Sequence, residues 1–125
     1  MTVRALFVTR VYEASLAAER GFAELNSELE EACLSLAQED MAGRAWCREH
    51  RYGGYTSYAS LDDLPQRMSV FDVLKRKLDK HAAQFARDLS FDLGGARLKM
   101  NSLWVNVLKP GAAIINTASI QAYQP

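Results

Sequence analysis

The chain has 125 residues, enough for one domain or part of one, and its 15 Lys and Arg balance 15 Asp and Glu to a formal net charge of zero. That balance gives no electrostatic pull towards nucleic acid or an anionic membrane, so neither partner class is expected. The start, MTVRALFVTRVYEASL, interrupts its apolar residues with Arg4 and Arg10, and no stretch approaches the ~20 apolar residues of a membrane span, so a cytoplasmic protein with reduced thiols at Cys33 and Cys47 is the expectation.

In chain order, Arg4 to Tyr12 alternate weakly and are rich in Val, Phe and Leu, which predicts an edge strand. From Phe22 the period changes. Leu25, Leu29, Ala32, Cys33 and Leu36 recur at helical spacing, with Glu24, Glu28, Glu31 and Gln38 opposite, and the helix should end near Asp40 to Gly43. Ser27 with Glu30 offers a capping box, although a start one turn earlier fits equally well.

Arg44 to Arg67 reads as a long connection, punctuated by Gly53-Gly54 and Pro65, with one short strand at Tyr55 to Ala59 and an aromatic cluster of Trp46, Tyr52, Tyr55 and Tyr58. A second helix is predicted from Val70 to Leu89, capped by Ser69 with Asp72 at its third position. Phe71, Leu74, Leu78, Ala82, Phe85 and Leu89 form its apolar stripe, and Lys75, Lys77, Lys80 and Arg87 should face water. After a Gly94-Gly95 turn, Arg97 to Leu108 reads as a strand buried on both sides at its centre. Leu98, Met100, Trp104, Asn106 and Leu108 share one face and Leu103, Val105 and Val107 the other, before a turn at Lys109-Pro110-Gly111.

Chemistry-bearing residues are sparse. The two histidines read as a helix-face residue, His81, and a solvated loop residue, His50. No elbow motif surrounds Ser57, Ser60 or Cys47, and the glycine pairs lack a phosphate-cradle pattern, so they are read as turns.

The stretch Trp104 to Ala112, WVNVLKPGA, resembles the strand that leads into the iron site of a family of 2-oxoglutarate/Fe(II)-dependent oxygenases. The order of elements over Leu6 to Ala112 is similar too, through LFVTRVYEA, LNSEL, GYTSYASLDDL, the long helix and LWVNVLKPGA. The resemblance implies an α+β fold in which helices pack against the first strands of an incomplete double-stranded β-helix, the jelly-roll that carries iron and 2-oxoglutarate in its mouth. It implies Fe(II) and 2-oxoglutarate as cofactors of the intact family, and it carries over Trp104 and Asn106 as substrate-pocket wall candidates. Their plain alternative is a core Trp and an Asn bonded to neighbouring backbone.

Such an iron site needs two His and a carboxylate. In the family the first of these follow the Pro-Gly turn, where this chain reads Ala113-Ile114-Ile115-Asn116-Thr117. Residues 1–112 are therefore expected to be the N-terminal part of an oxygenase-like domain and 113–125 a divergent tail, with no catalytic or metal-binding residue and no cofactor held by this chain. Read one frame over, codons for Ala113-Ile114, Asn116-Thr117 and Ser119 to Gln121 can encode His, so a frameshifted or prematurely ended gene is one expectation and a naturally short paralogue another. The alternative function is a small non-enzymatic interaction domain that uses unpaired strand edges for self-association or partner binding.

Overall fold

The computed structural model describes residues 1–112, in which helices α1 (Phe22–Glu39), α2 (Met41–Glu49), α3 (Leu64–Arg67) and α4 (Ser69–Asp88) accompany strands β1 (Gly54–Thr56) and β2 (Asn106–Leu108). The fold is α+β. The strands pair antiparallel, with Tyr55 opposite Val107. Gly54 sits where a β-carbon would lie 2.3 Å from the Val107 carbonyl oxygen, so a side chain there would force the two strands apart. α4 packs on α3 and α1, and α1 and α2 cover the ribbon. The core gathers Ala32, Cys47, Tyr55, Leu64, Phe71 and Val105 from five of these elements and the approach to β2. Among the described residues, no helix is long and apolar enough to cross a membrane.

Several boundaries differ from the sequence expectation, each for a local reason. Residues 4–12 form no strand: apolar Leu6, Phe7, Val8 and Val11 are exposed, and no described strand lies alongside to take up their backbone groups. The segment is tethered instead by Arg10, whose Nη1 donates to the Asp88 carbonyl at 2.7 Å, and by Tyr12, whose hydroxyl is 2.8 Å from His81 Nδ1. α1 starts at Phe22, earlier than either expected start, with Gly21 in the left-handed region as its N-cap, so Ser27 and Glu30 lie inside the helix rather than in a capping box.

The expected connection after Asp40 contains a further helix, α2. Asp40 ends α1, its own N–H bonding to the Leu36 carbonyl, and begins α2 by accepting from the Gly43 N–H at 3.0 Å. Gly43 is a helical residue and not a terminator; a β-carbon there would lie 2.2 Å from Asp40 Oδ2 and 2.7 Å from Ser60 Oγ, so this cap geometry requires glycine. α4 runs one residue earlier at each end than predicted, and its N-cap is Met68, with no side-chain cap from Ser69.

Its buried line passes through Phe71 and Ala86, while Leu78, placed on the apolar stripe by spacing, is 38% exposed. The Lys75–Asp79 ion pair, 2.5 Å, is instead half-buried, and Asp79 also accepts from the Met100 N–H at 2.9 Å. Lys77 is half-buried as well, paired with Glu19. The predicted strand 97–108 narrows to β2 and an isolated bridge at Leu103, with Val105 between them bonded to Ser57. Arg97 to Lys99 are exposed. The expectation for 113–125 lies outside the described residues.

Candidate functional site

β2 and the residues leading into it alternate as the sequence spacing requires. Leu103, Val105 and Val107 turn into the core, which leaves Trp104 and Asn106 on the opposite face. Trp104 is half-buried and meets the ring of Tyr58 edge-on at a centroid distance of 5.2 Å. Tyr58 in turn meets Trp46 at 6.5 Å, and Trp46 stacks on His50 at 4.1 Å. Asn106 is exposed, and its Oδ1 accepts from the Tyr52 hydroxyl at 2.8 Å. Trp104 thus belongs to an aromatic row at the edge of the core, and Asn106 bonds to a side chain rather than to neighbouring backbone.

The row is positioned by α2, which supplies Trp46 and His50, and by the β1 region, which supplies Tyr52 and Tyr58. The clustering of these aromatics was visible in the sequence; the helix that aligns them was not. Tyr52 also lines a cavity of about 400 Å³ between α2 and the ribbon, with Arg44, Arg48 and Lys109 at its edge and Cys47 and Tyr55 at its inner wall.

Beneath this face lies a hydrogen-bonded polar layer. The hydroxyl of Ser57, fully buried, donates to the Leu61 carbonyl at 2.8 Å and accepts from the Val105 N–H at 3.0 Å, while the Ser57 N–H bonds to the Val105 carbonyl at 3.0 Å, so backbone and side chain together continue the β1–β2 pairing. The Cys47 sulfur accepts from the Thr56 N–H at 3.3 Å. The Asp40 carboxylate accepts from Tyr55 at 2.7 Å and Ser60 at 2.5 Å in addition to Gly43. Burial pushes the Asp40 pKa up, but these three donors outweigh it and hold the carboxyl below its ordinary value. Burial and the adjacent Asp40 charge raise the Tyr55 phenol, which stays a donor. Cys33 and Cys47 are both free, and burial raises the Cys33 thiol, making its thiolate less accessible.

The histidines stay apart. His50 Nδ1 donates to the Trp46 carbonyl at 2.9 Å at the end of α2, and His81 is engaged with Tyr12 on α4. Among the described residues, no group of three or more His, Cys, Asp or Glu side chains converges to hold a metal ion. The layout supports aromatic stacking and hydrogen bonding to a ligand. No protein-family profile matches the chain, and no curated protein matches it.

Proposed function

We propose that residues 1–112 are the N-terminal portion of a 2-oxoglutarate/Fe(II)-dependent oxygenase domain, supplying scaffold and one wall of its pocket. The observation that supports this reading best is the face of β2. In the motif that carries the resemblance, Trp104 and Asn106 stand clear of the core beside Tyr58 and Tyr52, where a pocket wall would have to lie. On this reading β1 and β2 are the first rungs of a double-stranded β-helix, and the protein works in the cytoplasm.

The cofactors of such an enzyme do not fit the side chains at hand. Two histidines committed to separate hydrogen bonds on separate helices offer no facial triad for iron. This chain therefore contributes positioning and substrate contact only, and no oxidative step is assigned to it. The nucleotide sequence after the codon for Gly111 tests the proposal. A frame encoding a His-x-Asp or His-x-His segment and a later His supports it; no such coding capacity in any frame contradicts it.

A second reading, a non-enzymatic domain that self-associates, is favoured by the N-terminal segment. Val3 and Phe7 have relative exposures of 101% each, and Val11 is 75% exposed. Apolar side chains so presented gain by covering one another.

A further inference from the structure

Helix α4 ends in a turn that builds a groove. Ser90 takes a left-handed φ of 56°, its N–H bonds to the Arg87 carbonyl and the Phe91 N–H to the Ala86 carbonyl, which is the paired bonding of a Schellman motif. The chain then folds back along α4, anchored where the Met100 N–H meets Asp79. Between the helix and this return segment lies an open cavity of about 590 Å³, a size suited to a small molecule. Ala83, Ala86, Phe91, Leu93 and Leu98 give it an apolar lining, with Phe91 60% and Leu98 42% exposed.

Its charge is one-sided. Lys80 and Arg87 on α4 face the groove from one wall, Arg97 and Lys99 from the other, and none of the four has an ion-pair partner among the described residues. Among the described residues, the Arg87 guanidinium donates to the neutral Gln84 side chain at 2.6 Å. The one carboxylate in the lining, Asp79, is already held by Lys75 and the Met100 N–H. Lys99 faces the charge of Asp79 and Lys80 that of Glu19, so the positive excess rests on Arg87 and Arg97, one on each wall, and an apolar lining under that rim complements a ligand with an aliphatic body and an anionic head.

We propose that this groove binds a medium-chain carboxylate, the tail lying against Phe91, Leu93 and Leu98 and the head accepting hydrogen bonds from Arg97 and Arg87. A guanidinium fork matches a carboxylate in two parallel bonds, and in a half-open site that pairing decides orientation more than affinity. The site is separate from the β2 face and does not depend on the oxygenase reading.

The test is titration of the whole chain with octanoate, followed by amide chemical shifts, with 1-octanol and acetate as the tail-only and head-only probes. Octanoate should shift amides of residues 83–99 saturably, should bind more weakly as salt is raised, and should bind more tightly than either probe. The exposed double variant Arg97→Gln/Lys99→Gln should keep the melting temperature and lose about tenfold in affinity, the equivalent of one charge-assisted contact. Equal binding of octanol and octanoate, unchanged affinity in the double variant, or shifts confined to other residues would overturn the proposal.

Discussion

Asp40 carries three structural duties in one side chain. It caps α2, accepts from Tyr55 and Ser60, and marks the single residue at which α1 turns into α2. Replacing it by Ala removes the cap and leaves two hydroxyls short of an acceptor, so Asp40→Ala should cost about 2–4 kcal/mol in urea unfolding, against about 0.5 kcal/mol or less for exposed Glu39→Ala. The sign of its pH dependence follows from a carboxyl held below its ordinary value. The stabilisation is complete above the unfolded pKa and is lost as pH falls through the folded one. Asp79, lowered by Lys75 and the Met100 N–H against the opposing effect of burial, acts in the same direction. Thermal melts from neutral pH into acid should therefore show falling stability, with a shallower fall in Asp40→Asn; an identical acid limb would remove Asp40 from the account. The sequence places the end of α1 near Asp40 to Gly43, as found, but does not show that a second helix containing Gly43 begins there. The cap geometry involves Ser60, which approaches from a distant loop, and no local pattern reveals it.

Elements were legible where local periodicity and burial agree. α4 was placed within one residue at each end because Phe71, Leu74 and Phe85 recur at helical spacing, yet the buried direction is turned towards Ala86 and the Lys75–Asp79 pair. Phe71→Ala should accordingly cost about 3–5 kcal/mol, while Leu78→Ala, at 38% exposure, should cost about 1 kcal/mol or less. Similar losses from the two would refute the orientation. At the other end of the helix, Ser90 holds a backbone conformation that glycine adopts without penalty, so Ser90→Gly should stabilise by about 1 kcal/mol, measurable as a rise in urea midpoint. Strand expectations fared less well, since pairing requires a partner that alternation within one segment cannot supply. Residues 4–12 alternate and form no strand; residues 103–108 alternate and meet β1 and the loop before α3, and there Leu103, Val105 and Val107 share one face as expected, whereas burial on both sides does not hold, since Asn106 on the other face is exposed.

At the scale of the whole molecule, the α+β class was accessible from the sequence, and the packing of α2 over the ribbon was not. The exposed apolar segment ending at Val11 predicts concentration-dependent association. Size-exclusion chromatography should show larger species at high protein concentration, and deletion of residues 1–9, which leaves the Arg10 and Tyr12 tethers, should suppress them. A concentration-independent monomer with both chains would rule out that route to association. The proposed function divides the labour, with scaffold and pocket wall in this chain and no iron site at its two histidines. Anaerobic titration of the chain with Fe(II) and 2-oxoglutarate, followed by absorbance and thermal shift, tests it most directly. No metal-to-ligand charge-transfer band and an unchanged melting temperature are expected; a saturable one-to-one complex that absorbs and stabilises would show that this chain holds the metal after all.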